Sequence, residues 1–300
     1  MPDRHTPPQP TLDWAASIIG EPVVAFTGLR EGAAPWLLRF GGAGGQAVLR
    51  LAPAGDPDGA GPKRTEIAAL RLAHRHGIAV PRLLGADLTG HGALLISAVP
   101  GRSTIPRAAP PGRLLTLGAA AAAVHAVPLE PEPHLPARTR PIATVDFAAE
   151  RRRSGTTPLL AEAETLVAGL PQPAGGVFVH GDLWQGNTLW SGDSLAAIVD
   201  WDCAGSGHPG VDLGSLRCDA AMTYGLEAAD TVSAGWATVM GREPDHAAYW
   251  DVVAALSTPT DLDYFVDAFV DQGRDDLDRP TALRRRDDFL TAALEGLRSH

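Results

Sequence analysis

The stretch His180-Gly181-Asp182-Leu183-Trp184-Gln185-Gly186-Asn187 sets an acid and an amide five positions apart on a loop with two glycines. Thirteen positions after Asn187, the apolar pair Ile198-Val199 delivers a second acid, Asp200, followed by Trp201 and Asp202. Phosphoryl transfer from ATP asks for such a set. One carboxylate must receive or orient the proton of the attacking hydroxyl, and oxygen ligands must hold Mg²⁺ on the phosphates. Read singly, Asp182 and Asn187 are ordinary turn residues. Three polar residues in this order, with apolar strand formers around them, make chemistry the better reading.

The pattern H-G-D-x-x-x-x-N followed by D resembles the aminoglycoside phosphotransferase family, a branch of the protein-kinase-like fold. Protein kinases carry H-R-D-x-x-x-x-N and D-F-G. Gly181 and Trp201 replace the Arg and the Phe, which is the usual form in small-molecule kinases. The resemblance spans Val23 to Leu297 and is sharpest over 180–214. It implies an α+β, bilobal fold. An N-terminal lobe, 1–98, would hold a small antiparallel sheet and one helix after a mobile lead-in over 1–11. A mostly helical C-terminal lobe, 99–300, would hold the hinge, catalytic loop, metal site and acceptor pocket. By the same resemblance Asp182 is the catalytic base, and Asn187 and Asp200 hold Mg²⁺. His180 braces the loop. Asp202 and Asp212, the latter in Pro209-Gly210-Val211-Asp212-Leu213-Gly214, support the loop or the metal shell.

The elements that must position these groups are legible upstream. Val23–Phe26, Trp36–Phe40 and Ala47–Leu51 read as strands. Arg50 stands in the third, where kinases carry a phosphate-contacting Lys; it keeps the charge and adds a planar fork. A helix is expected over Arg64–His76, closed by Gly77. Glu66 lies early in it, either as a helix-dipole residue or as the partner of Arg50, and the register favours pairing. The phosphate-covering loop is expected at Arg30–Pro35, with Gly32 as a contact. Gly41–Gly45 reads instead as a hairpin turn, having no G-K-[ST] ending and no helix after it. Ala93–Gly101 resembles the hinge, where backbone groups of Ser97 to Val99 would hydrogen-bond adenine. ATP would then sit between the lobes.

From Pro110 the chain reads as mostly helical, over 114–127, 161–170, 211–222, 227–240, 246–256, 260–271 and 284–297. Pro128–Pro141 is expected to be irregular, and His125 to be a packed core histidine. In the family the last helices build the acceptor pocket. Here they carry six Asp within sixteen positions, 261 to 276. Asp263 and Asp267 share a helical face and could bind the ammonium groups of an aminoglycoside; a solvated acidic face is the competing reading. Trp184 would add an apolar contact.

Composition narrows the function further. Three hundred residues exceed the usual single core. A net charge of −10 argues against nucleic-acid partners and agrees with a cationic acceptor. No apolar run is long enough for a membrane span. No secretory apolar region opens the chain, so a cytoplasmic location is expected. Cys203 and Cys218 have no metal-ligand spacing. The expected activity is ATP- and Mg²⁺-dependent transfer of the γ-phosphoryl group to a hydroxyl of a small molecule, an aminoglycoside-like antibiotic, and hence antibiotic resistance. A metabolic kinase for an amino alcohol, sugar or ketosamine shares the same motifs. A nucleotide-binding pseudokinase is disfavoured by the intact Asp182, Asn187 and Asp200. A protein kinase is disfavoured by the missing A-P-E segment.

Overall fold

The computed structural model describes residues 6–30, 33–52 and 60–299. The chain forms two compact units: Met1–Pro100 with Ala197–Asp202, and Gly101–Ala196 with Cys203–His300. Residues 197–202 therefore group with the N-terminal part, although the sequence left them in the stretch 99–300. The cause is local. The Ile198 N–H donates to the Ala79 carbonyl at 2.8 Å, which ties this segment to the chain after the first unit's long helix.

The first unit opens with α1 (Gln9–Ile19), so residues 9–11 of the expected lead-in are helical. Pro10 lies in the first turn, where a missing N–H costs no hydrogen bond. Five strands follow in an antiparallel sheet: β1 (Val23–Arg30), β2 (Ala33–Phe40), β3 (Gln46–Leu51), β4 (Leu83–Asp87) and β5 (Ala93–Ser97), in the order β1-β2-β3-β5-β4. Between β3 and β4 runs α2 (Ala60–Arg75). Strand side chains alternate between the two faces. Leu38, Ala47, Leu49 and Leu95 are buried on one face together with Leu12 and Ala15 of α1. Arg50, one position on from Leu49, points to the opposite face, towards α2. The phosphate-covering loop expected over 30–35 is largely strand, since Arg30 ends β1 and pairs with Ala33 of β2. Gly32 lies outside the described residues.

The second unit is helical, with α3 (Pro111–His125), α4 (Phe147–Ser154), α5 (Pro158–Ala168), α6 (Gly210–Tyr224), α7 (Leu226–Met240), α8 (Ala247–Leu256), α9 (Asp263–Asp271) and α10 (Arg279–Arg298). Short strands β6 (Ala137–Arg138), β7 (Val177–Val179) and β10 (Gly205–Gly207) form a small sheet, ordered β6-β10-β7. The segment 128–141, expected to be irregular, thus contributes β6. A hairpin of β8 (Thr188–Ser191) and β9 (Ser194–Ile198) follows the acid-bearing loop. Helices α3 and α7 cross with backbones in contact. A Cβ at Gly118 would meet the Val232 carbonyl at 2.0 Å, and one at Gly235 the Leu115 carbonyl at 2.1 Å. The α+β architecture, a small antiparallel sheet in one unit and helices dominating the other, is the one the resemblance implied. Both cysteines are buried thiols. Among the described residues no helix is long and apolar enough to cross a membrane.

Candidate active site

In the second unit, β7 hands the chain to a tight loop, and α6 holds that loop at two points. At the entry, Asp212 in the first turn of α6 accepts the His180 N–H and the Gly181 N–H, each at 2.7 Å. It also contacts His125 Nε2 at 3.1 Å. The Trp236 indole N–H donates to His125 Nδ1 at 3.0 Å, so the imidazole proton sits on Nε2 and points at Asp212. Burial opposes the charge on Asp212, yet the bonds from His125 and His180 hold its carboxyl below the usual carboxylate range. His125 is therefore a buried link in a polar chain. Gly181 adopts φ +82°, and a Cβ there would strike the Cys203 carbonyl at 2.1 Å. A glycine fits this position where the Arg of protein kinases would not.

Beyond Gly181, the Asp182 N–H donates to His180 Nδ1 at 3.2 Å. Asn187 donates its amide N–H to the Asp182 carbonyl at 2.8 Å and to Asp182 Oδ2 at 3.2 Å. This fixes the carboxylate and leaves the amide oxygen as the acceptor end of Asn187. At the loop exit, Asp219 Oδ2 accepts the Gln185 N–H at 3.3 Å and its side-chain N–H at 2.8 Å. Asp219 Oδ1 and Gln185 Oε1 are buried without a partner among the described residues, a pattern that ordered water commonly completes. Burial pushes the Asp219 carboxyl up to about 6, against the bonds from Gln185. The sequence reading missed Asp219. Its signal was a spacing of seven from Asp212, which puts two acids on one face of a helix.

Asp182 also lines a cavity of about 240 Å³ in this unit. Trp184 is in its wall, packed edge-on against Phe269 at 6.1 Å. Asp263 and Asp267 are not. Both are exposed, and Asp263 pairs with Arg279. Helix α9 turns Tyr264, Phe265, Ala268 and Phe269 to the cavity instead, so the acidic positions read as a solvated face.

In the first unit, Arg50 bridges two carboxylates. Its Nη1 lies 2.7 Å from Glu66 Oε1, and its Nη2 2.5 Å from Asp200 Oδ1, with Asp202 at 4.0 Å. Burial works against the Arg50 charge, but Asp200 and Glu66 outweigh it. Glu66 is 1 % exposed, and its Oε2 accepts from Lys63 Nζ at 2.9 Å. Burial pushes its carboxyl up against the pull of both cations. Lys63 was also missed. It is the chain's only lysine and stands three positions before Glu66 on the same helix face. Asp200 holds φ +68°, a left-handed conformation rare outside glycine, Asn and Asp that clusters at functional sites. Of the two hinge positions, Ser97 donates its N–H to the Arg82 carbonyl at 2.8 Å, and its hydroxyl accepts the Arg82 N–H. It has no amide left for a base. Val99 keeps its backbone groups unpaired among the described residues.

A model of the phosphotransferase enzyme family matches residues 26–256. The chain belongs to that family. As a member, it is a phosphotransferase acting on hydroxyl groups of small molecules. No curated protein sequence matches it. The phosphotransferase is similar in fold to several solved structures. A macrolide 2'-phosphotransferase, MphH from Brachybacterium faecium, is 19% identical with a TM-score of 0.60, covering 93% of this chain and 98% of that one. The spectinomycin phosphotransferase APH(9)-Ia, in complex with AMP, is 13% identical with a TM-score of 0.60, covering 95% and 98%. An aminoglycoside-3'-phosphotransferase of type VIII is 20% identical with a TM-score of 0.54, covering 81% and 97%.

Proposed function

We propose that this phosphotransferase moves the γ-phosphoryl group of ATP, with Mg²⁺, to a hydroxyl of a small antibiotic-like molecule in the cytoplasm. The observation that carries the reading is Asp182: a carboxylate fixed by Asn187, on a loop clamped by Asp212 and Asp219, in the wall of a cavity of small-molecule size. An acceptor hydroxyl in that cavity would donate to Asp182 and pass it the proton as its oxygen bonds to the γ-phosphorus, the bond from that phosphorus to the β–γ bridging oxygen breaks and ADP leaves. Structural neighbours named for macrolides and spectinomycin, one with AMP bound, support an antibiotic hydroxyl and an adenine nucleotide.

On this reading the first unit handles the nucleotide. Val99 offers backbone groups to adenine, while Arg50 and Lys63, set against Glu66, supply positive charge for phosphate oxygens. The donor set suits Mg²⁺, which takes one or two protein carboxylates and completes its shell with phosphate and water. In the first unit Asp200 offers a carboxylate of that kind, and in the second Asn187 offers a hard amide oxygen. Among the described residues no group of three or more His, Cys, Asp or Glu is arranged to hold a metal. The ion would neutralise charge on the transferring phosphoryl group. Asp202 and Asp212 orient their neighbours. The test is ADP release and product mass with a panel of hydroxylated antibiotics. Asp182→Asn should bind nucleotide normally and turn over about 10²–10⁴-fold more slowly; near-normal turnover would remove Asp182 from the role of base.

A further inference from the structure

On the phosphotransferase reading just given, we propose that the acceptor is a predominantly apolar hydroxylated molecule with at most one cationic group, bound in the second-unit cavity whose wall includes Asp182. Besides Asp182, that wall is built from Ile142, Trp184, Met222, Phe265 and Phe269. These come from the loop after β6, the catalytic loop, α6 and α9, so the surface is assembled from separate elements rather than left by one loose end. It is also held in shape. The Arg140 guanidinium donates to the carbonyls of Ile142 and Ala143, each at 3.2 Å, and to that of Val145. Ile142 sits at φ +47°, a genuine outlier for a β-branched residue, and its N–H donates to the Gly181 carbonyl at 2.7 Å. The apolar wall is thereby fastened to the catalytic loop at a strained position.

The charge in the cavity is too sparse for a polyamine. Its carboxylates are Asp182 and Asp219. Asp182 must meet the reacting hydroxyl. Asp219 is 4 % exposed, and one of its oxygens already takes two bonds from Gln185. Ammonium groups entering this space would lose water without gaining partners, which is strongly unfavourable. The carboxylates that could have met them lie on the outer side: Asp263 pairs with Arg279, Asp275 with Arg107 and Asp276 with Arg274. Neutral hydroxyls make up the rest of the polar lining. Those of Ser257 and Thr258 already donate to the Val253 and Ala255 carbonyls, and those of Ser215 and Tyr264 make no hydrogen bond among the described residues and are open to an acceptor. Apolar surface placed against Trp184, Phe265 and Phe269 would supply most of the binding free energy.

The experiment sets erythromycin, a large apolar ring with one amine, against hygromycin B, a polar polyamine. Calorimetric binding to the whole protein is measured beside ADP release with Mg·ATP. Erythromycin is expected to bind and be phosphorylated. Its KM should not change between about 50 and about 500 mM salt, over which the Debye length falls from about 14 to about 4 Å. Phe265→Ala, and separately the cavity-filling Ala268→Trp, should raise its KM by about tenfold or more and leave the KM for ATP unchanged. Two variants guard against misfolding of one, and circular dichroism checks both. Asp263→Asn with Asp267→Asn should change neither KM. Phosphorylation of hygromycin B with a KM that climbs with salt, or no binding of erythromycin, overturns the apolar acceptor. Erythromycin binding without any ADP release from a competent Mg·ATP complex would instead overturn the phosphotransferase reading on which the proposal rests.

Discussion

Replacing Asp219 by Asn should stabilise the protein at neutral pH, although it removes a buried charge that holds the catalytic loop. Burial raises the Asp219 carboxyl from an ordinary 3.8 to about 6, and Oδ1 has no partner among the described residues. That displacement corresponds to about 3 kcal/mol of preference for the protonated form in the folded chain. The sign follows from proton binding. Between pH 3.8 and about 6 the folded state holds a proton that the unfolded state has released. The contribution is full below the unfolded value and is lost as pH rises through the folded one. An Asn side chain mimics the protonated acid, keeps an oxygen for the two Gln185 donors and adds an N–H in the place of Oδ1. Urea unfolding of both proteins from about pH 4 to about pH 8 should therefore show curves that coincide at the acid end and separate by about 3 kcal/mol above about pH 7. In a unit of about two hundred residues this amounts to about 6–12 °C in Tm. If Asp219→Asn destabilises the protein at neutral pH and the gap widens with pH, the carboxylate is charged and usefully paired with Arg113 or Arg274, and the reasoning is refuted.

The first unit offers three further tests. Asp200→Ala should abolish the Mg²⁺ dependence of nucleotide binding, because a hard cation needs an anionic oxygen; calorimetry with unchanged Mg·ATP affinity would sink the metal role. Lys63→Met leaves Glu66 with one cation and should raise the KM for ATP about tenfold while lowering stability by about 1–3 kcal/mol; steady-state kinetics and urea unfolding read the two effects separately. Arg50→Lys cannot bridge Glu66 and Asp200 as a planar fork does, and should lower kcat by about 10–100-fold; wild-type turnover would show that charge alone suffices.

How much of this was visible in the sequence depends on what each residue must do. Asp182, Asn187 and Asp200 stood out because phosphoryl transfer fixes their types and their order, and because apolar strands frame them. Seven of the eight helices described in the second unit were legible from their sequence pattern, though α10 begins at Arg279 rather than 284; α4 (Phe147–Ser154), short and dominated by Glu150 and three arginines, was not. Residue pairing across distance was harder. Asp219 and Lys63 carry no motif, and only contact with Gln185 and Glu66 reveals their work. The acidic run from 261 to 276 left two readings open, a cation pocket and a solvated face, for a geometric reason. Counting carboxylates finds charge, but the helical phase decides which side meets the cavity. On α9 the aromatic positions 264, 265 and 269 take the inner side. At the hinge, backbone readout leaves no side-chain trace, and only the bond to Arg82 shows that the Ser97 N–H is taken.

Asp212 and Asp219 lie two turns apart on one helix, both fully buried, yet their carboxyls are displaced in opposite directions. Burial acts on both with the same sign, so the difference comes from donors. Asp212 receives two backbone N–H groups and an imidazole N–H, which spread over both of its oxygens. Asp219 receives two donors from Gln185 on a single oxygen, and its other oxygen has no partner among the described residues. A carboxylate with three short donors is a fixed anion, and the chain entering the loop is fixed with it. A carboxylate held on one side only is a weaker anchor, and what it anchors is the turn beside Trp184, in the cavity wall. Helix α6 thus makes shorter hydrogen bonds to the entry of the loop, beside Asp182, at 2.7 Å each, than to its exit, beside Trp184, at 2.8 and 3.3 Å. On the proposed reading of Asp182 as the base and of the cavity as the acceptor site, a firm hold on the base and a lighter one on the binding wall would both follow from how many hydrogen bonds each of two aspartates accepts.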